Sequence, residues 1–286
     1  MEPRSTAVGQ QAMRVLVLGS SGLVGAAVAD CLRAEAIEVV PFDIGAGQDV
    51  LDPSAVRAAA EGCHAIVNAA GGSMPGVEPG RGTLTLNVTG NWNVLQAARA
   101  VGARRVVTFS SVNALGVFRG EATPDYLPID DDHPVRPPTT YGQAKRLVEE
   151  LCRCFSETSD IATIVFRPPA VVGPERHAGM QALRSADPAA EWTPFWEYGA
   201  WIDTRDLARA VLAGLMAPGI RHLTGLVCAD DTSSPVPVRD LARRLLPGVP
   251  WRGPEPEDPA RVLVRCDRVK QALGWAPIYR WSDGGM

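Results

Sequence analysis

The chain predicts an α/β fold built on a doubly wound parallel sheet, and three observations carry that prediction. Short apolar runs rich in Val and Ile alternate with helix-like stretches from Arg14 to Phe166. The first run ends in a glycine-rich turn that opens a helix. The second run closes on an acid, Asp43, about 20 residues beyond that turn.

Each element has a local reason. Arg14–Leu18 is continuously apolar after its arginine and ends at Gly19, as a buried parallel strand does. Leu23–Leu32 has small residues at helical spacing. Ile37–Phe42 is a second strand, with Pro41 near its terminus. Asp52-Pro53-Ser54 opens a helix that runs to Ala60, proline lying in its first turn. His64–Asn68 is a third strand. A helix from about Leu86 to Ala100 precedes strand Arg105–Ser110, and a helix bearing Tyr141 precedes strand Ala162–Phe166. Arg119 to His133 is polar and contains proline, and is expected to loop across the mouth of the site.

Composition narrows the function. The 286 residues are 46% hydrophobic and 21% charged, enough for one large domain or a domain with a lobe. A net charge of −4 argues against nucleic acid as the main partner. No apolar run reaches transmembrane length, so no membrane partner is expected. The first twelve residues lack the basic region and apolar core of a signal peptide and are expected to form a flexible tail. Six scattered cysteines and four histidines form no metal-ligand pattern, so no metal is expected. Reduced thiols suit a cytoplasmic protein.

The turn Gly19-Ser-Ser21-Gly22-Leu23-Val-Gly25 suits a pyrophosphate. Gly19 allows the tight turn, Gly22 lets the backbone approach the phosphates, and Gly25 lets helix and strand pack closely. The helix N-terminus adds unpaired N–H groups. A carboxylate at Asp43 accepts hydrogen bonds from an adenosine ribose and repels the extra phosphate of NADP, which makes NAD the expected cofactor. Tyr141 and Lys145 stand four apart, one above the other on a helix. An ammonium beside a phenol is expected to lower the Tyr pKa, so that Tyr141 exchanges protons near neutral pH.

These residues together resemble the extended short-chain dehydrogenase/reductases, the NAD-dependent epimerase/dehydratase family. The resemblance runs from Met13 to Tyr279. Two residues separate each pair of glycines in the first turn. Asp49-Val50 resembles the family's adenine-contacting pair, and Asn68-Ala69-Ala70-Gly71 the segment along the cofactor. The helix with Asn87 resembles the one whose Asn orders a proton-relay water. Phe109–Gly116 resembles the catalytic Ser segment; counting back from Gly116 selects Ser111. Phe166–Pro174, with Pro168, resembles the nicotinamide-side loop. Asp267–Pro277 resembles a C-terminal signature, with Asp267 as N-cap and Gly274 as helix stop.

The resemblance implies a Rossmann-type sheet over 13–174 after the tail at 1–12. Residues 175–286 would form mainly a small substrate lobe, with 201–230 returning to the sheet. It implies an oxidoreductase or epimerase acting at a secondary alcohol or ketone. Tyr141 would move the proton, Ser111 hold the substrate oxygen, Lys145 bind the nicotinamide ribose, and Asn87 support the relay. Val112 and Asn113 replace the carboxylates of the family's dehydratases, so water elimination is disfavoured. The short stretch from Pro174 to Trp201 favours a small hydroxylated substrate, such as a uronic acid or polyol, over a UDP-sugar. Asn113, Arg176 and Trp196 are candidate substrate contacts, and Trp192–Trp201 is either an aromatic lid or a satellite core. A homodimer is the family expectation. A UDP-sugar 4-epimerase and a non-catalytic NAD-binding sensor or scaffold remain as alternatives.

Overall fold

The computed structural model describes residues 12–72, 79–120, 122–186 and 197–283, so the expected tail lies almost wholly outside the described residues. Strands β1 (Arg14–Leu18), β2 (Glu38–Phe42), β3 (Ala65–Asn68), β4 (Arg105–Phe109), β5 (Ala162–Arg167) and β8 (His222–Leu226) form one sheet, in the order β2-β1-β3-β4-β5-β8. Every neighbouring pair is parallel. The two short strands β6 (Ala170–Val172) and β7 (Trp201–Asp203) pair separately.

Apolar side chains alternate between the two faces, as the pleat demands. Val15, Val17, Val67, Val107, Ile164 and Phe166 join one core, under α1 (Leu23–Ala34) and α7 (Thr204–Met216). Leu16, Leu18, Ile66, Val106 and Val165 join the other. That second core lies under α2 (Pro53–Ala60), α4 (Gly90–Val101) and α5 (Thr140–Glu157). Strand order reverses between β1 and β3, which places a crevice at their carboxyl ends.

Helix starts follow capping chemistry. Asp52 accepts from Ser54 N and Ala55 N at α2, Thr139 from Gly142 N at α5, and Asp203 from Arg205 N at α7. At α9 (Asp267–Leu273) the expected N-cap shifts by one residue. Cys266 holds the cap position, while the Asp267 carboxylate pairs with the exposed Arg265. Gly274 does end the helix, in the left-handed conformation with φ 61°.

The stretch from Arg119 to His133 departs from the expected surface loop. Tyr126, Leu127 and Ile129 are buried, and Leu127 and Ile129 bridge to Trp251 and Val264. Leu127 and Ile129, on either side of Pro128, give the segment a strand-like edge that Trp251 and Val264 complete. The C-terminus is tied down further by Asp206, fully buried on α7, which accepts from Ile278 N and Tyr279 N.

One buried ion pair crosses the core. Arg167, at the end of β5, grips Glu149 of α5 through Nε at 2.7 Å and Nη2 at 2.8 Å. Ser110 Oγ donates to the same carboxylate at 2.6 Å. Removing one partner strands a buried charge, so Arg167→Met should cost about 3–5 kcal/mol in urea unfolding. The double variant Glu149→Leu/Arg167→Met should recover most of that loss, and equal losses in both variants would refute this account.

Candidate active site

A cleft of about 190 Å³ opens where the strand order reverses. It is lined by Ala69, Ala70 and Gly71 after β3, by Ser110 and Ser111 after β4, by Tyr141 and Lys145 on α5, and by Pro168 and Pro169 after β5. Four sequence-distant segments therefore deliver their candidate residues to one place.

The glycine turn forms the adjoining wall. Gly19 N donates to Phe42 O at 2.8 Å, which locks β1 to the end of β2. A Cβ on Gly19 would lie 2.8 Å from Ala69 and Ala70 backbone atoms, and one on Gly25 would lie 2.0 Å from Gly19 O. Only bare backbone can close this turn, which leaves the N-terminus of α1, at Gly22 and Leu23, facing the crevice. Asp43 accepts from Ser21 N at 2.9 Å and from Gly45 N at 2.9 Å. The Ser21 side chain, then the Ser21 and Gly45 amides, hold its carboxyl below the usual range, so it stays anionic. Val50 is buried against Gly90, and its carbonyl accepts from Asn93, while Asp49 turns outward and caps Leu51 N. A phosphate-sized cradle, an anionic ribose acceptor and an apolar shelf at Val50 fit a dinucleotide.

Asn87 lies in a π-helical turn, Thr85–Thr89, that leads into α4. Such turns mark functional positions because they push one side chain out of helical register. Its Nδ2 donates to Gly72 O and Thr83 O, both at 2.8 Å, and its Oδ1 accepts from Gly72 N at 3.3 Å. Asn87 thus pins the Gly71–Gly72 wall of the cleft with its amide group.

Ser111 caps a 3₁₀ turn, Val112–Ala114, its Oγ accepting from Asn113 N at 3.1 Å. Tyr141 lines the same cleft, near enough for the Ser111 side chain to favour its ionised form. This meeting requires close backbone contact: a Cβ on Gly142 would sit 2.5 Å from Asn113 O. Gly142 is thus a functional position that the sequence reading passed over, although it directly follows Tyr141.

Lys145 Nζ donates to Phe109 O at 3.0 Å and lies 5.5 Å from the Tyr141 ring centroid. Burial pushes its pKa down to about 8. The Tyr141 phenol moves the other way from the sequence expectation. Desolvation raises its pKa, the hydrogen bond to Ser111 works against that rise, Glu197 adds to it and Arg119 opposes it. The lysine is spent on a carbonyl under the ring, so the phenol is held neutral, as a proton donor.

The other substrate candidates separate. Asn113 is buried two residues from Ser111. Arg176 is exposed on α6 (Pro174–Ala186) and does not line this cleft. Trp192 and Trp196 lie outside the described residues. Trp201 packs edge-on to His177 and Trp281, with centroids 5.7 and 5.0 Å away, as a satellite core. Glu149 and Arg167, which anchor α5 behind the cleft, were also passed over. Their signal was the spacing Tyr141, Lys145, Glu149, three charged or polar residues one turn apart on one face. Among the described residues no cluster of His, Cys, Asp or Glu could hold a metal, and no helix is long and apolar enough to cross a membrane.

Residues 15–219 match the model of the NAD dependent epimerase/dehydratase family. The chain is 28% identical to a 3-diazoavenalumate denitrifying reductase of a Streptomyces species, over 95% of this chain and 99% of that protein. It is 24% identical to a uronate dehydrogenase of Pseudomonas syringae pv. tomato, over 73% of this chain and 72% of that one. A short-chain dehydrogenase/reductase superfamily protein from Agrobacterium tumefaciens, solved with bound NAD, shares the fold. It aligns with a TM-score of 0.73 and 23% identity, over 95% of this chain and 94% of that one.

Lys145 carries a stability consequence of its own. A lysine with a pKa depressed from 10.5 to about 8 binds its proton less well folded than unfolded. The penalty is fully present below about pH 8 and fades as pH rises toward 10.5. Lys145→Met in the ligand-free protein should therefore be more stable than the parent at pH 7, by up to about 3 kcal/mol. The gap should shrink above pH 8 in pH-dependent urea melts; a gap that is constant with pH would refute the buried-charge account.

Proposed function

Because the chain belongs to the NAD dependent epimerase/dehydratase family, the extended short-chain dehydrogenase/reductases, we propose that it interconverts a secondary alcohol and a ketone on a small hydroxylated, sugar-like molecule. The observation that carries this reading is that Ser111, Tyr141 and Lys145 line one cleft beside the glycine turn, with Lys145 Nζ 5.5 Å from the Tyr141 ring centroid. Bound NAD supplies the hydride acceptor, chemistry that no side chain offers.

The remaining steps belong to the protein. Gly19, Gly22 and Gly25 leave room for the pyrophosphate, and Asp43 takes the adenosine ribose hydroxyls. Ser111 holds the substrate oxygen and stabilises charge that develops there. Tyr141 Oη gives that oxygen its proton in the reducing direction and takes it in the oxidising direction. Lys145, stacked beneath the ring and tied to Phe109 O, sets the field at the phenol and reaches toward the nicotinamide ribose. Pro168, whose carbonyl accepts from Val112 N at 3.1 Å, closes the nicotinamide side. Val112 and Asn113 stand where the family's dehydratases carry an acid and a base, which disfavours elimination of water.

Net oxidation or reduction and epimerisation each have a relative matching over 95% of this chain, a reductase and a UDP-glucose 4-epimerase, and the fate of the hydride separates them. A homodimer is part of this reading. Trp92 on α4 and Leu147 on α5 are 45% and 47% exposed on neighbouring helices, and a second copy packed there would bury both.

The test is a substrate screen with NAD, read as net NADH formation and product stereochemistry. Net NADH establishes the dehydrogenase; inverted sugar without net NADH establishes a 4-epimerase instead. Tyr141→Phe should lower turnover by about 10²–10⁴ while NAD binding stays near normal. Unchanged turnover would remove Tyr141 from the chemistry. Asp43→Ala should weaken NAD more than NADP in a fluorescence titration, and equal loss of both would cancel the ribose assignment.

A further inference from the structure

Residues 229–265 leave the sheet after β8 and return at α9, and a cysteine stands at each end of that excursion. Cys228 follows β8, and Cys266 holds the cap position of α9. Their sulfurs lie 3.8 Å apart, and each residue is 1% exposed. The other buried thiols meet oxygen or nitrogen instead: Cys63 donates to Ala59 O, and Cys152 accepts from Asn91 Nδ2. Backbone bonds tie down both sides of the pair. Val227 N donates to Arg167 O at 3.3 Å and Ala229 N to Trp201 O at 2.8 Å. On the returning chain, Arg265 N donates to Ile129 O at 2.8 Å, and Cys266 O accepts from Lys270 N at 3.1 Å as α9 opens. Val262 N donates to Asp230 O at 3.3 Å, and Asp231 and Arg261 form an antiparallel bridge. The outgoing and returning chains therefore run side by side just beyond the two thiols.

The pair is asymmetric. Cys228 Sγ donates to Cys266 Sγ, and the Lys270 ammonium, one turn along α9 from Cys266, is bonded to Asp230. The bond from Cys228 holds the Cys266 thiol below its ordinary range against the opposing pull of burial, with Lys270 adding to the fall and Asp230 resisting it. The same bond, then burial, holds Cys228 well above that range. Cys266 is thus the better nucleophile and Cys228 the natural resolving partner. A disulfide sets its sulfurs at about 2 Å, so two side chains already in contact have little distance left to close. Burial keeps bulky reagents out, and a local opening of the segment admits a small oxidant.

We propose that Cys228 and Cys266 are a hydroperoxide-responsive dithiol, which oxidises to an intramolecular disulfide that clasps residues 229–265 at their base. The Cys266 thiolate attacks a peroxide oxygen; an S–O bond forms, the O–O bond breaks, and the departing hydroxide takes up the proton lost by Cys266 as water. The Cys228 sulfur then attacks the Cys266 sulfenic acid. An S–S bond forms, the S–O bond breaks, and the second hydroxide leaves with the Cys228 proton as water. Two thiols are oxidised, one hydroperoxide is reduced, and an added dithiol reverses the change. A link between residues 38 positions apart restrains the unfolded chain, so the oxidised protein is the more stable one.

The experiment treats the reduced full chain with hydrogen peroxide, blocks the remaining thiols, and maps the peptides without reductant. A peptide joining Cys228 to Cys266 is expected, and dithiothreitol should dissolve it. The oxidised chain should melt about 5 °C or more above the reduced one. Exposed Cys154 reports that the oxidant reached the protein, and the Cys154→Ser chain, melted in parallel, removes links between copies. In Cys228→Ser, Cys266 should stop at a sulfenic acid that dimedone traps; in Cys266→Ser, Cys228 should remain a thiol. Oxidised Cys154 with no Cys228–Cys266 peptide overturns the pair. A linked peptide without a rise in melting temperature overturns the clasp. Dimedone on Cys228 in Cys266→Ser overturns the assignment of Cys266 as the attacking thiol. The peptide map and the melt need neither cysteine of the pair replaced, so they decide the proposal even where a serine variant fails to fold. Neither reads turnover, so their failure leaves the alcohol–ketone reading intact.

Discussion

The buried junction of Glu149, Arg167 and Ser110 sets the geometry on which the cleft depends. Two opposite charges at 3% and 4% exposure are expensive to desolvate, and the two-pronged contact of Arg167, joined by the Ser110 hydroxyl, offsets that cost. The junction joins α5 to the carboxyl ends of β4 and β5. Glu149 is one turn beyond Lys145, which is one turn beyond Tyr141, so anchoring the acid fixes the rotation of the whole helix. The phenol and ammonium can then face the cleft only in one way, and Ser111, next to Ser110, is set in the same stroke.

Close backbone approach completes what the ion pair begins. Gly142 lets the first turn of α5 press on the Asn113 carbonyl, and Gly19 lets the first loop press on the segment after β3. The π turn around Asn87 then braces that segment from behind. Side chains would hold these three backbones apart by more than a hydrogen bond can span. The cleft is therefore defined as much by where side chains are missing as by the groups that line it.

The site also stores unfavourable terms. Lys145 is buried with a carbonyl for company, and Glu197 and Tyr198 sit in conformations their side chains disfavour. Both terms are carried by the surrounding structure, through Phe109 O at Lys145 and Val117 O at Tyr198. Such local cost at a polar cleft is what a protein accepts when reactivity outranks stability. It also explains why the phenol and the lysine shift away from their ordinary values in the direction that keeps each neutral.

Periodicity and turn chemistry made much of the architecture legible. Apolar runs marked β1, β3 and β5, Asp52-Pro53 marked a helix start, and the spacing Gly19, Gly22, Gly25 with Asp43 marked the dinucleotide turn, because these signals are local. Tyr141, Lys145 and Ser111 were legible as chemical types in order. The sequence by itself determined the covalent inventory, the element order and the family. The tertiary structure alone decided that Arg167 would anchor Glu149, that Asn87 would brace a loop, that Leu127 and Ile129 would be buried, and that Asn113 would meet Glu197. Those contacts join residues up to 135 positions apart, as Ile129 and Val264 do. The sign of the Tyr141 shift was decided there too, since burial outweighed the opposing pull of Ser111 and Arg119, and burial is a property of the packed chain.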